Sequence, residues 1–387
     1  MKKSAILISA LMLGVYGAFA VKPIENATKI VNDIKTATAP DARQAVYEIT
    51  AFENGDGDVV VKGFVSEDAS ASALRNAFDA ISMDYIDSIV MLPSDQWAQV
   101  RLSAASLRGE GRHAAEMVTQ GVMGMPLRVL STGGEWWRVQ TPDGYISYVP
   151  SSSVVTKTPA EMEQWRKSNR LIVTAPYQTR VYVSPTANGV RDVVTDAVLG
   201  NIFVATGDNS DGRLGVELPD GRKGYIDADA VENFSEWATQ DFNPEQILDV
   251  AYSMEGTPYL WGGTSVKAID CSGLAKVSYF SNGLILMRDA SQQALTGTRI
   301  EAKDWRDCQA GDLLFFGNAK TGRVTHVAIY DHNGNYVHSS GRVKRNSVDP
   351  ESPAYLTTPF LHAVRIHGNE GTKGITRVRD HGWYFNK

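Results

Sequence analysis

An internal repeat narrows the architecture of this 387-residue chain more than any other feature. Val118-Thr119, Gly124 and Pro142-Asp143-Gly144 recur as Val194-Thr195, Gly200 and Pro219-Asp220-Gly221, an offset of 76 to 77 residues. The first copy has β-like runs at Leu127 to Leu130 and Trp136 to Gln140, the second at Ile202 to Ala205 and Leu214 to Leu218. In each, a Pro-Asp-Gly turn leads to a tyrosine, Tyr148 or Tyr225. Proline presets φ, Asp bonds its own backbone and Gly accepts positive φ, so such a tripeptide ends one strand and starts the next. We therefore expect two small β-barrels in tandem, over 99–156 and 169–236, with the polar, helix-like stretch Thr158 to Ser168 between them.

The flanking regions read differently. After a helical opening, Asp58 to Val65, Ala71 to Ile81 and Ile86 to Leu92 follow as strand, helix and strand, which predicts a small α/β module over 21–98. Asn243 as N-cap with Pro244 behind it starts a helix and a new domain, 242–367, followed by a tail at 368–387. The whole is an α+β protein.

Lys2 and Lys3, the apolar run Ala5 to Val15 and Ala18-Phe19-Ala20 form a signal peptide over 1–20, with cleavage after Ala20. The apolar run is shorter than the roughly 20 residues a bilayer span requires, and no cysteine lies near its end for lipid attachment. The expectation is an exported protein, periplasmic or secreted, without membrane insertion. The formal charge of −6 falls to −8 once the leader leaves (36 basic residues against 44 acidic), which argues against nucleic acid as a partner. No cofactor, metal or protein partner is called for, and a monomer is expected.

An exported chain with two cysteines, Cys271 and Cys308, would by default hold one disulfide. The surroundings of Cys271 argue for a free thiol. Asp270-Cys271-Ser272-Gly273 precedes Leu274, Val277 and Phe280, and Asn282-Gly283 closes the run. This is a helix with Asp270 as N-cap and Cys271 in its first turn, where the dipole favours thiolate and should lower the thiol pKa.

A general base must come from elsewhere. Thr325 to Tyr330, Asn333-Gly334 and Tyr336-Val337-His338 read as a hairpin. A two-residue Asn333-Gly334 turn would put His326 and His338 on opposite faces. A three-residue loop of His332, Asn333 and Gly334, with Gly334 left-handed, pairs 331 with 335 and sets His338 across from Ala328. The two histidines are then diagonal neighbours, roughly 7 to 8 Å apart at Cα and within hydrogen-bonding reach. Val327, Ile329 and Val337 gather on the other face.

Residues 243 to 340 resemble the NlpC-like cell-wall cysteine peptidases, which have a papain-related fold. The match rests on Gly256-Thr257-Pro258-Tyr259-Leu260-Trp261-Gly262-Gly263, Asp270-Cys271-Ser272-Gly273, Gly311-Asp312-Leu313-Leu314-Phe315-Phe316, His326-Val327-Ala328-Ile329-Tyr330 and His338. The repeats resemble the bacterial SH3-like modules that accompany such enzymes. A subgroup with tandem SH3-like modules, the γ-D-glutamyl-L-diamino-acid endopeptidases or dipeptidyl-peptidase VI enzymes, is similar over most of the chain, including Arg288-Asp289-Ala290-Ser291.

The resemblance implies Cys271 as nucleophile, His326 as base, His338 as orienting third member and Tyr259 as an oxyanion donor. Trp261, Asp270, Ser272, Arg288 and Ser291 become pocket residues. Glu116, Asp289 and Tyr145, with nearby Tyr148 as the alternative tyrosine for the cleft, become candidates for holding the free ammonium of an N-terminal L-Ala in peptidoglycan-derived peptides, because a buried cation demands an anionic partner. A cell-wall amidase or acyltransferase, or a wall-binding protein with an inactive domain, are the alternatives.

Overall fold

The computed structural model describes residues 22–386, so the expected leader lies outside the described residues. These residues divide into two compact units. The first comprises the described part of Met1–Pro40 together with Val46–Met91. In it, helix Asp68–Ala80 connects the parallel strands Val59–Val65 and Ile86–Met91, the expected strand, helix and strand. Tyr47–Glu53, which the sequence reading passed over, pairs antiparallel with Val59–Val65. Leu74 and Phe78 of the helix are fully buried.

The second unit holds Asp41–Ala45 and Leu92–Lys387. The opening module is thus shorter than 21–98. Trp97–Val100 pairs with Pro126–Gly133 and Val154–Lys157 in the first repeat, because Ala98 and Val100 fill that repeat's core.

Each repeat forms a seven-stranded sheet, and the strand orders are identical. In the first the order is Val154–Lys157, Trp97–Val100, Pro126–Gly133, Trp136–Gln140, Ile146–Pro150, Ala104–Arg108 and Met117–Val122. In the second it is Val231–Asn233, Arg170–Val173, Ile202–Ser210, Arg213–Glu217, Lys223–Asp227, Gln178–Tyr182 and Val193–Val198. The repeated glycines coincide in conformation, at φ 81° and 85° for Gly124 and Gly200 and 84° and 82° for Gly144 and Gly221. Between the sheets, helix Pro159–Lys167 starts at a capping box of Thr158 and Glu161 and buries Met162 and Trp165.

The last domain is a six-stranded antiparallel sheet in the order Thr298–Glu301, Phe360–Arg365, Leu313–Gly317, Val324–Tyr330, Asn335–Ser340 and Arg342–Ser347. Helices Pro244–Ser253 and Cys271–Phe280 pack on it, and Ile247, Leu248, Leu274 and Ala275 share a core with Phe315, Val327, Ile329 and Val337. The expected tail at 368–387 is part of this body. Ile375–Arg377 pairs with Leu284–Leu286, and Tyr384, 1% exposed, sits in an aromatic cluster with Trp165, Phe234 and Trp237. The apolar residues of the tail are what bury it. Among the described residues no helix is long and apolar enough to cross a membrane.

Candidate active site

Cys271 opens helix Cys271–Phe280, and the Asp270 carboxylate caps that helix by accepting the Gly273 N–H at 2.7 Å. Gly273 is required by a close approach: a Cβ there would lie 1.9 Å from the carbonyl oxygen of Gly263. Asp270 also accepts the Gly262 N–H at 2.8 Å. The Trp-Gly-Gly and Asp-Cys-Ser-Gly motifs therefore interlock through backbone, and this locks the helix start in place.

Arg288 pairs with Asp270 at 2.5 Å and donates to the Ser272 hydroxyl at 2.9 Å. All three side chains are buried. Arg288 was expected to line the pocket, yet it lies behind the helix terminus, since a guanidinium 2% exposed must stay with its anion. It positions Asp270 and, through it, the nucleophile. Both cysteines are free, and Cys308 belongs to a separate apolar cluster with Phe316 and Tyr330.

The hairpin has the register that side-chain parity requires. Ile329 pairs with Val337 and Tyr330 with Tyr336, while Asp331 N–H donates to the Asn335 carbonyl. Gly334 is left-handed at φ 81°, and Asn333 joins it at φ 53°. His326 and His338 consequently meet, with Nε2 of the first 2.7 Å from Nδ1 of the second.

The chain of bonds continues to a residue the sequence reading missed. Asn346, on the next strand, donates Nδ2–H to the Ala354 carbonyl at 2.9 Å, which fixes its amide orientation. Its Oδ1 lies 3.0 Å from His338 Nε2, so that nitrogen carries a proton. Nδ1 of neutral His338 is then an acceptor, His326 Nε2–H donates to it, and Nδ1 of His326 keeps its lone pair. The Cys271 sulfur faces the backbone N–H of Val327, the residue after His326.

Burial governs the electrostatics. It lowers His326 to about 3, with His338 adding to the shift, and lowers His338 to about 4. Phe316 and Tyr336 wall the two rings. Burial likewise pushes the Cys271 thiol up to about 11, reinforced by the Asp270 carboxylate. The expected depression of the thiol is reversed: desolvation of a group only 7% exposed outweighs the backbone N–H groups of Val327 and Ser272 that favour the thiolate. Near neutral pH Cys271 therefore rests as a thiol and His326 as a neutral imidazole.

A cleft of about 720 Å³ lies over Cys271 and is lined by Trp261, Asp270, Ser272, Asp289 and Ser291. Burial, then the Cys271 thiol, raises the Tyr259 hydroxyl above its ordinary value, so it remains a proton donor. Tyr145, rather than Tyr148, reaches the cleft wall, with its hydroxyl 3.4 Å from Asp289 Oδ2. Glu116 is not brought there: it is exposed, lines no part of the cleft and has no side-chain partner among the described residues. Its neighbour Met117 packs its carbonyl against Gly262 instead. Arg43, from the Asp41–Ala45 segment, also lines the cleft and carried no sequence signal.

A cysteine at a helix start, laid on an antiparallel sheet whose hairpin presents paired histidines, defines a papain-related α+β cysteine peptidase. The NlpC/P60 family profile matches residues 256–365, and the bacterial dipeptidyl-peptidase Sh3 domain matches residues 107–154. The dipeptidyl-peptidase 6 of Lysinibacillus sphaericus is 30% identical over 65% of this chain and 91% of its own length. The γ-D-glutamyl-L-lysine dipeptidyl-peptidase of Bacillus cereus is 26% identical over 76% of this chain and 88% of its own. A crystal structure of an NlpC/P60 family protein from Bacillus cereus shares the fold, with a TM-score of 0.59 at 20% identity over 70% of this chain and 99% of that one. The chain belongs to the NlpC/P60 cysteine peptidase family.

Proposed function

We propose that this protein is a cysteine endopeptidase that hydrolyses the γ-D-glutamyl-L-diamino acid bond of peptidoglycan stem peptides bearing a free N-terminal L-Ala. The observation that carries the reading is the ordered chain from Asn346 through His338 to His326, which leaves one imidazole lone pair for the thiol. The names of the two relatives, acting as dipeptidyl-peptidases, support the substrate class.

In this reading His326 Nδ1 takes the Cys271 proton as sulfur attacks the γ-carbonyl of D-glutamate. The Cys271 backbone N–H and the Tyr259 hydroxyl stabilise the oxyanion. The imidazolium returns its proton to the leaving amine, and water then hydrolyses the thioester. Trp261, Ser272 and Ser291 shape the pocket, and Asp289 with Tyr145 receives the substrate ammonium. The protein acts as a monomer outside the cytoplasm, in the periplasm or as a secreted enzyme, on peptides released from the wall.

Product analysis on L-Ala-γ-D-Glu-diaminopimelate tests this directly. Release of the L-Ala-γ-D-Glu dipeptide, lost in Cys271→Ala and retained in Cys308→Ala, is the expected result. Transfer to an added amine, or no turnover by the native chain, would overturn it. Comparable rates on the free peptide, its N-acetylated form and a stem still joined to muramic acid would reject the free-amine requirement.

A further inference from the structure

The residue at the amine end of the cleft comes from neither the peptidase domain nor the repeats. Arg43 Nη1 lies 2.7 Å from Asp289 Oδ2 and 3.2 Å from the Ser291 hydroxyl. The Asp289 oxygen it occupies is the same one that faces the Tyr145 hydroxyl. The segment carrying Arg43 is firmly seated: its carbonyl accepts the Ile146 N–H at 2.7 Å, and the Gln44 carbonyl accepts from Gln140 Nε2 at 2.9 Å.

We propose that Arg43 is a specificity-determining residue that occupies the ammonium acceptor of the cleft in cis, so that a stem peptide binds by exchanging its terminal cation for the guanidinium. This rests on the reading of Asp289 as the ammonium acceptor. Two cations on one carboxylate oxygen would lie within a few ångströms of each other, and like charges so close repel. An ammonium that takes Oδ2, the oxygen beside the Tyr145 hydroxyl, therefore displaces Nη1.

Asp41 makes the exchange inexpensive. Both of its oxygens hold the guanidinium, Nε to Oδ1 and Nη2 to Oδ2 at 2.8 Å each, and Gln292 Nε2 steadies the carboxylate at 2.8 Å. Arg43 can leave Asp289 and remain ion-paired. An ammonium replaces it charge for charge, whereas an amide nitrogen brings no charge and meets a filled subsite. The guanidinium thus filters substrates: a free amine pays a modest competition, and a blocked amine is refused.

Calorimetric titration of L-Ala-γ-D-Glu and its N-acetyl form into Cys271→Ala, alone and combined with Arg43→Ala, Arg43→Gln or Asp41→Asn, tests the exchange. Both Arg43 substitutions are expected to tighten the free dipeptide about three- to thirty-fold, the range of one charge-assisted bond at a half-exposed site. Asp41→Asn is expected to weaken it, because Asp289 then becomes the only anion for the guanidinium. Unchanged or weaker binding in both Arg43 variants would show that Arg43 merely braces Asp289, and would overturn the exchange while leaving the ammonium reading intact. Equal affinity of the free and acetylated dipeptides for Cys271→Ala would overturn both.

Discussion

Lys276, on the nucleophile helix, is ion-paired at 2.6 Å with Asp143, in the Pro-Asp-Gly turn of the first repeat, and the Asp143 side chain is only 2% exposed. The pair ties the turn that carries Tyr145 to the helix that carries Cys271. Removing one partner strands the other charge in the interior, so Lys276→Met should lose about 3 to 5 kcal/mol by urea unfolding. The double variant Lys276→Met/Asp143→Leu should recover most of that loss. A single variant as stable as the native protein would mean that the pair contributes little.

Asn346 sets the tautomers of both histidines. Asn346→Leu should lower kcat by about ten- to a hundred-fold with KM little changed, less than the loss seen when a directly bonded orienting group is replaced in other triads. His338→Ala should cost more than Asn346→Leu and less than His326→Ala, because orienting a base matters less than supplying one. A kcat unaffected by Asn346→Leu would remove it from the relay.

The Cys271 thiol, pushed up to about 11 by burial, should react slowly with iodoacetamide at neutral pH, and its alkylation should accelerate as pH rises above 9. With His326 lowered to about 3, kcat/KM should stay flat from about pH 5 to 7, where neither enzyme group titrates, and fall above about pH 8 as the substrate's terminal ammonium loses its proton. Fast alkylation at pH 6 would reveal a preformed thiolate instead.

Stability should fall on acidification. Between the ordinary imidazole value of 6.5 and the folded values of about 3 and 4, the unfolded chain binds more protons at His326 and His338 than the folded one. Unfolding therefore becomes easier as pH drops through that window. The decline in Tm from pH 7 to pH 4 should be smaller in His326→Gln/His338→Gln than in the native protein, although carboxylates contribute to both. Parallel declines would show that the imidazoles are not held neutral by the fold.

Local chemistry and side-chain parity made much of this protein legible in its sequence. An N-cap Asp before Cys271, a Pro behind Asn243 and the repeated Pro-Asp-Gly turns act through neighbouring backbone, so the residues that decide them stand side by side. The hairpin register followed because one residue of slip would have turned Val327, Ile329 and Val337 out of the core and separated the histidines. Tertiary structure alone decided the rest. Arg43 reaches Asp289 across 246 positions, Asn346 joins the histidines from a neighbouring strand, Glu116 stays away from the cleft and the tail is drawn in by Tyr384. The thiol's pKa belongs to this second group as well, because desolvation depends on everything packed around Cys271, whereas its place at the helix start can be read from its own few residues.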